Sequence, residues 1–328
     1  MSLYTKDSED LIIDLDLDNS TGYSSSTVNS ASINNKGVEA ILNVIPVQSR
    51  DFTWDVSASF SLLRSEVISI ADGIDQIYVG GYVGRGNIAI PGLPYGILEG
   101  EVIRRDYGSL DGTDHTQVHW DDRTNYTPIV NANGGYQFLG YGVIGNPQPD
   151  FVYGVTNTLS YKWATLRVQF DSQVGGDVFS TTNSTLLGRG ILQETDFDRF
   201  VPVVTKGLSA DGTPNTTQTT ANAHYWPNTG VFYDENSIYD ASVMRLREVS
   251  LSFVAPKSFL NGTPFGNASL TLSAQNIWHY AWNTPSGTNF DPEVISYGAG
   301  SNARGFDEMT GPTCLLYTSP SPRDEQSS

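Results

Sequence analysis

Apolar and polar residues alternate along several long stretches of the chain. The clearest stretch is FTWDVSASFSL, with apolar residues at Phe52, Trp54, Val56, Ala58, Phe60 and Leu62. A period of two places successive side chains on opposite faces of a β-strand. The same alternation recurs in residues 38–44, 151–161, 164–170 and 268–274. Helical periodicity is hard to find over any useful length, so the pattern predicts an all-β chain.

The predicted strands are joined by connections that are alternately short and long. About seven long strands are expected, at residues 3–17, 34–46, 52–68, 150–161, 163–174, 243–256 and 268–278. Tight turns follow the second and fourth strands, whereas residues 69–149 and 175–240 form very long connections. Outer-membrane barrels have short turns on one side and long loops on the other. The sequence therefore predicts an antiparallel transmembrane β-barrel portion with long extracellular loops.

Aromatic residues lie near the ends of these predicted strands. Beside the short turns are Phe52, Trp54, Tyr161 and Trp163, and at a long-loop end are Trp278, Tyr280 and Trp282. Barrels carry aromatic girdles at both membrane interfaces, which this placement resembles. The ordinary enrichment of aromatic residues in strands is the alternative explanation.

Composition narrows the possible functions. The 328 residues include 36 acidic and 18 basic side chains, for a formal net charge of -18. This acidity disfavours nucleic-acid binding, which needs a basic face. Charged residues make up only 16% of the chain, as expected if many positions face lipid. No apolar run reaches the length of a transmembrane helix.

Both ends of the chain have unusual sequences. Residues 2–10 are polar and mixed in charge, so no signal peptide begins at Met1, and an exported protein would have its true N-terminus further upstream. Residues 314–324 (CLLYTSPSPRD) match one reading frame of a sequencing-library adapter. We therefore expect native barrel sequence in residues 1–313 and a non-native tail in residues 314–328. The only cysteine, Cys314, lies in that tail, which leaves no disulfide or thiol site in the native part.

Several segments between residues 3 and 313 resemble, in order, the C-terminal part of a SusC/RagA-type TonB-dependent outer-membrane transporter. They begin with residues 3–6 (LYTK), 10–12 (DLI) and 21–23 (TGY) and continue with residues 35–39 (NKGVE), 145–151 (GNPQPDF), 239–251 (YDASVMRLREVSL), 275–277 (QNI) and 289–293 (NFDPE). Each motif is weak by itself, but the order and spacing are specific. Within residues 239–251, Arg245, Arg247 and Glu248 are expected to form charge pairs on the lumen side of a strand.

The resemblance implies uptake of large nutrients, glycans or peptides, through a plugged barrel of about 22 strands in the cell outer membrane. It also implies a SusD-like surface lipoprotein as partner and a TonB complex that acts through an N-terminal part outside this chain. Outer-membrane lipid would surround the barrel. The resemblance implies neither a cofactor nor an enzymatic activity.

Aromatic residues in the two long connections are candidates for substrate contact. They are Trp120, Tyr126, Tyr136, Tyr225 and Trp226. Flat rings could stack on sugar faces, but packing of the loops against one another is an equally good explanation.

Other candidate chemistry is weaker. A set of possible metal ligands occurs in one loop: Asp114, His115, His119, Asp121 and Asp122. A solvated acidic loop is the favoured interpretation of that set. His224 and His279 lie in no recognisable nucleophile motif, and the sequence predicts no enzyme. A secreted carbohydrate-binding or adhesive β-sandwich is the alternative to the transporter, and a soluble glycan-active enzyme ranks far below both.

Overall fold

The computed structural model describes residues 1–16, 20, 22–23, 25–82, 84–107, 118–228, 233–284, 291–293, 304–307 and 315–317. The strands in these parts of the chain are β1 Ser2–Asp16, β2 Ser25–Gln48, β3 Phe52–Ser69, β4 Ile77–Tyr82, β5 Arg85–Ala89, β6 Ile97–Ile103, β7 Arg105–Asp106, β8 Thr127–Val130, β9 Phe138–Gly145, β10 Phe151–Tyr161, β11 Ala164–Val174, β12 Asp177–Ser180, β13 Val203–Val204, β14 Leu208–Ser209, β15 Gln218–Thr219, β16 Ile238–Asp240, β17 Val243–Val254, β18 Ser269–Tyr280, β19 Phe306–Asp307 and β20 Leu315–Tyr317. The α-helices are α1 Thr181–Gly188, α2 Ala221–Asn228 and α3 Lys257–Leu260, and short 3-10 helices occur at Trp120–Asn125, Gln193–Thr195 and Asp234–Ser237. None of the helices in these ranges is long and apolar enough to cross a membrane.

One large antiparallel sheet contains all seven predicted strands. Its order is β1-β2-β3-β10-β11-β17-β18-β20. The seven long strands, from β1 to β18, therefore lie in the sheet in the same order as in the sequence. Within the described residues the sheet is open, with β1 at one edge and the short β20 at the other. The predicted β-barrel portion is thus confirmed as a continuous wall. β2 begins nine residues before the predicted start at residue 34, because it also pairs with the far half of β1.

The long connections all leave from one end of this sheet. Tight turns join β2 to β3 and β10 to β11, whereas residues 70–150 and 175–242 leave and return at the opposite end. We call these two long connections the outer segments. The sequence predicts them only as loops, but they contain the helices α1 and α2 and every strand of four small sheets except β19. Several of these strands have only two residues, and β5 and β6 are buried along almost their whole length, so they show no alternation between a buried and an exposed face.

The register of the large sheet separates an apolar face from a polar face. One row of directly paired residues runs across five strands through Trp54, Leu159, Leu166, Leu251 and Leu272. All of these side chains point to the same face, since paired residues in a ladder share a face.

The adjacent row contains Asp55, Thr158, Arg167, Ser250 and Ser273. Because side chains alternate along a strand, this row points to the opposite face. The apolar and polar positions that alternate along each strand therefore line up with those of the neighbouring strands.

The apolar face of the sheet lacks a protein cover in the described part of the chain. Leu272 is 52% exposed and Leu42 is 60% exposed, although both lie in the middle of long strands. A β-sandwich would bury such residues against a second sheet. On this face Asn157 Oδ1 accepts a hydrogen bond from Trp54 Nε1 at 3.2 Å, which pairs the indole N–H with the amide oxygen.

A compact hydrophobic core lies in the outer segments and includes one residue of β19. It is formed by Leu98, Val102, Ile144, Phe179 and Phe306, all nearly inaccessible to solvent. The rings of Phe179 and Phe306 lie 5.7 Å apart. The outer segments therefore fold as water-soluble domains do, by packing apolar side chains against one another.

The two faces of β2 are expected to differ in their tolerance of charge. Leu42 faces the apolar side opposite Ala58, and its neighbour Asn43 faces the polar side opposite Ser57. We expect Leu42→Arg to lower the free energy of unfolding from lipid vesicles by about 2–4 kcal/mol, because the charge must enter hydrocarbon. Asn43→Arg is the matched control and should cost less than about 1 kcal/mol. Denaturant titrations in vesicles would measure both, and equal costs would contradict this assignment of the faces.

Candidate functional site

The sequence motifs meet at the end of the sheet from which the outer segments leave. An ion-pair cluster, defined as Asp171, Arg245, Arg247, Asp291 and Glu293, lies there on the polar face. A register shift in β17 between Leu246 and Glu248 adds one residue to that strand. Such a bulge changes which way side chains point, and it lets Arg247 project beside Arg245.

Arg247 binds two carboxylates through its planar guanidinium. Its Nε and Nη2 donate to Oδ1 and Oδ2 of Asp171, both at 2.7 Å. Its Nη1 and Nη2 donate to the carboxylate of Glu293 at 2.8 and 3.0 Å. Nη1 also donates to Asn276 Oδ1 at 3.1 Å. Paired, parallel hydrogen bonds of this kind fix orientation as well as adding energy.

Arg245 is the buried member of the cluster, with only 3% of its side chain exposed. It donates two hydrogen bonds to the carboxylate of Asp291, lies 3.4 Å from Glu293 and lies 3.9 Å from Asp171. Burial alone would raise the pKa of Asp291, but the hydrogen bond and charge of Arg245 outweigh it and hold that pKa below its usual value.

The cluster joins two of the motifs that carry the family resemblance. Arg245 and Arg247 belong to YDASVMRLREVSL, whereas Asp291 and Glu293 belong to NFDPE. The predicted charge pairs on the polar side are therefore confirmed, with Glu248 lying 3.7 Å from Arg167 as a weaker pair. Residues 289–290 of the second motif lie outside the described residues.

A second link joins the motif GNPQPDF to the start of the second outer segment. Asp177 Oδ2 accepts a hydrogen bond from the backbone N–H of Asn146 at 2.6 Å, and Asp177 N–H donates to Asn146 O at 2.7 Å. Gly175, at φ +73°, lies so close to Asp150 that a Cβ would stand 2.6 Å from Oδ2 of that residue. The carboxylate of Asp177 is largely buried, and this burial raises its pKa to about 6.

The YDAS residues complete this link. Asp240 Oδ1 accepts from Ser242 N–H at 2.7 Å, and Ser242 Oγ accepts from Gly175 N–H at 2.8 Å. Ala241 N–H donates to Gly176 O at 2.8 Å. The two ends of the second outer segment are thus hydrogen-bonded to each other where they meet the sheet.

The NKGVE glycine has a packing role in the wall. Gly37 pairs with Tyr4 of the neighbouring strand, and the ring of Tyr4 lies across it. A Cβ at position 37 would stand 2.3 Å from the ring. Only glycine accommodates this approach without displacing the ring.

Buried carboxylates also connect the two outer segments. Asp234 binds the Arg85 guanidinium and accepts from Glu101 N–H at 3.0 Å. Glu235 binds Arg105 and accepts from Ile103 N–H at 3.1 Å. Desolvation raises the pKa of Asp234, and its hydrogen bond with Arg85 only partly offsets that effect. The sequence carried no sign of these pairs, because their members lie more than 100 positions apart.

The five aromatic residues predicted to face substrate are half-buried, and each contacts a neighbour in the outer segments. The ring pairs are Trp120 with His119, Tyr126 with Tyr107, Tyr136 with Tyr233 and Tyr225 with Phe197, at 3.7, 4.9, 6.2 and 6.0 Å between centroids, and the Arg189 guanidinium lies 5.4 Å from the Trp226 ring. No ring pair in the described part of the chain joins two of the five. Packing within the segments accounts for their positions, and substrate contact stays a prediction.

The candidate metal ligands are only partly described. Asp114 and His115 lie outside the described residues, and His119 Nδ1 lies 3.5 Å from Asp121 Oδ2. Among the residues that the structure describes, no three His, Cys, Asp or Glu side chains come together as a metal site. His224 Nδ1 lies 3.0 Å from Thr205 Oγ1, and burial lowers the pKa of His224.

A groove of about 500 Å³ runs along the polar face next to the ion-pair cluster. Its lining includes Glu39, Ser59, Ser61, Gln169 and Gln173, together with Asp171 and Arg245 of the cluster. Ile41 and Val152 also line it, and more of its exposed lining is apolar than polar. The groove thus offers hydrogen-bond donors and acceptors set among apolar side chains, with Arg245 as the one basic residue among the described residues that line it.

Known proteins with similar sequences are TonB-dependent receptors. The chain is 27% identical to TonB-dependent receptor P3 of Formosa agariphila, over 96% of this chain and 31% of the relative. It is 26% identical to receptor P26 of the same bacterium, over 97% and 32%, and 22% identical to TonB-dependent receptor SusC of Bacteroides thetaiotaomicron, over 76% and 23%. The chain thus spans about a third of the length of the first two relatives. No family model matches it.

Solved structures with a similar fold are of the RagAB peptide importer. The open-open state gives a TM-score of 0.59 at 19% identity, over 95% of this chain and 31% of the matched chain. The closed-closed state gives 0.56 at 18% identity, over 85% and 29%. The relatives and the fold confirm the SusC/RagA-type TonB-dependent resemblance that the motifs indicated.

The ion-pair cluster is expected to contribute more than an ordinary surface pair. In a double-mutant cycle with Arg247→Met and Asp171→Asn, we expect a coupling energy of about 1–3 kcal/mol, because the pair is bidentate and partly buried. The matched cycle with Arg167→Met and Glu248→Gln should give less than about 1 kcal/mol, since Arg167 is half exposed. Unfolding in vesicles would measure both cycles. Equal coupling in the two would show that the cluster is an ordinary surface network.

We expect the ionisation of Asp177 to lower the free energy of unfolding as the pH rises through about 6. Its folded pKa of about 6 lies above the unfolded value of 3.8, so the folded state holds the proton more tightly. The stabilisation is complete below the unfolded pKa and is lost as pH rises through the folded pKa. Asp177→Asn should be more stable than the parent at pH 8, by on the order of 1–3 kcal/mol, and lose this advantage at pH 4.

Melting curves at several pH values would show this difference. The comparison between variant and parent cancels the other titrating groups, including Asp234. Parallel pH profiles for the two proteins would rule out Asp177 as the source.

Proposed function

We propose that this chain forms the C-terminal part of the barrel of a TonB-dependent outer-membrane transporter, which takes up large nutrients, glycans or peptides. A SusD-like surface lipoprotein would act with it at the cell surface. The TonB complex would act through a part of the protein outside this chain. The relatives are receptors and transporters rather than enzymes, and we propose no catalytic role.

The observation that carries the proposal is the large sheet with one uncovered apolar face. Seven long strands align apolar side chains on one face and hydrogen-bonding side chains on the other. In a bilayer, the apolar face is stabilised by hydrocarbon and the polar face lines a lumen. A soluble adhesive or carbohydrate-binding protein would have no means of covering this face.

The groove and the relatives together support the substrate class. The similar structures are those of a peptide importer, and one relative is the TonB-dependent receptor SusC. The groove beside the ion-pair cluster presents hydroxyl, amide and carboxylate groups next to apolar side chains, and this mixed surface suits hydrogen-bonding solutes such as glycans and peptides. We place the native barrel portion in residues 1–313 and propose that residues 314–328 are not native.

The topology can be tested by placing an epitope tag at each end of the sheet. In intact cells, a tag inserted at Gly212, in an exposed turn of the second outer segment, should bind antibody. A tag inserted at Arg50, in the tight turn between β2 and β3, should bind antibody only after the outer membrane is permeabilised. Binding at Arg50 in intact cells, or recovery of the protein in the aqueous fraction, would refute the proposed orientation and location.

Transport is tested separately in the source bacterium. Deletion of the gene should abolish uptake of particular labelled oligosaccharides or peptides from a panel. Re-expression of the intact gene should restore that uptake, and dissipation of the proton gradient should block it. Unchanged uptake of every panel member after deletion would argue against a nutrient transporter even if the topology is correct.

A further inference from the structure

The turn between β17 and β18 is unusually apolar for a connection at a membrane surface. It contains α3, and its Phe259 and Phe265 are 77% and 65% exposed. Val254, at the end of β17, is also mostly exposed. Short turns of barrels are usually polar, so these side chains need a cover other than water.

An apolar groove of about 390 Å³ lies beside this turn. One wall is formed by the rings of Trp163 and Phe253, whose centroids lie 5.7 Å apart. Phe259 of α3 and Leu270 of β18 also line it.

Backbone hydrogen bonds fix the shape of the groove. Val254 N–H donates to Trp163 O at 2.8 Å, which joins two neighbouring turns of the sheet. Ala255 N–H donates to Ala268 O at 2.8 Å, which closes the base of the β17–β18 connection. The groove is thus built from three adjacent chain segments held in register, and its shape does not depend on side chains alone.

The groove is continuous with the apolar face of the sheet. Phe253 is paired with Ala164 and with Leu270, and Ala164 is in turn paired with Tyr161, so all four lie on that face. In a barrel this face is the one in contact with lipid. Any occupant of the groove therefore comes from the bilayer.

Two lysines lie at the same rim. Lys162 directly precedes Trp163 in the β10–β11 turn, and Lys257 begins α3. Both are exposed, and Asp51 is the nearest acidic partner, 4.0 Å from Lys162 Nζ. Lysines at this depth can bind a phosphate while their stems cover apolar surface.

We propose that this groove is a discrete phospholipid site in the leaflet nearest the short turns. One acyl chain lies between Trp163, Phe253 and Leu270, and Phe259 closes over it. The phosphate lies within reach of Lys257. The site rests on the lipid-facing fold and goes beyond transport, because it would be present whatever the substrate.

The test is native mass spectrometry of the protein extracted from outer membranes in a mild detergent. We expect one phospholipid to remain bound to the parent protein. Phe259→Ser should reduce the lipid-bound fraction at least tenfold, because it removes the ring that covers the chain. Phe265→Ser is the matched control, since Phe265 is exposed in the same turn but does not line the groove. Lys257→Gln should lower retention severalfold.

Two results would overturn the proposal. One is the absence of a retained phospholipid, and the other is a variable number of lipids that is the same in the parent and both phenylalanine variants. Heat-modified mobility in gels serves as the folding control for each variant.

A second measurement decides the matter if Phe259→Ser fails that folding control. One equivalent of phospholipid with a brominated acyl chain is added to the parent protein in detergent. Trp163 should account for most of the fluorescence quenching, so Trp163→Phe should remove it and Trp278→Phe, at the opposite end of the sheet, should leave it. Equal quenching in the two variants would count against the site.

Discussion

The structure depends on a sheet whose apolar face has no protein cover in the part of the chain that the structure describes. The row through Trp54, Leu166 and Leu272 would be costly to expose to water, because each large apolar side chain contributes about 1.5–3 kcal/mol when removed from it. Hydrocarbon provides that removal without a second layer of protein. It also requires every backbone group to be paired within the wall, which long antiparallel strands achieve. The alternation of residues, the length of the strands and the low charge all follow from this requirement.

The outer segments are under the opposite constraint. They lie beyond the ends of the strands and must exclude water from their own apolar side chains. They do so with a conventional core around Phe179 and Phe306 and with buried ion pairs such as Arg85 with Asp234. A buried carboxylate is tolerated there only because a guanidinium and a backbone N–H face it. The chain thus removes apolar side chains from water in two ways, against lipid on the large sheet and against protein in the outer segments. The change from one to the other occurs at the strand ends.

The large sheet is the part of the fold that could be predicted from the sequence, because one of its faces must be apolar along every long strand. A strand such as β3 must alternate along its whole length, so its pattern is visible without knowledge of its neighbours. The short strands of the outer segments carry no such constraint, and their pairings are set by tertiary contacts. The ion-pair cluster could be predicted only in part for the same reason, because its pairings are also set by tertiary contacts. Arg245 and Arg247 could be assigned to a polar face, but their partner Asp171 lies about 75 positions away, and nothing near it signals that role.

The family motifs become intelligible as contacts between distant segments. Asp291 and Glu293 reach Arg245 and Arg247, while Asp177 reaches Asn146 and Gly175 touches Asp150. The first of these contacts ties a connecting segment to the wall, and the others join the bases of the two outer segments to each other where they leave the wall. A long connection whose ends are fixed to the wall loses less entropy on ordering than one that is free at its base. The rigid strands therefore determine the position of the outer segments through a few polar links, and those links are what the short motifs encode.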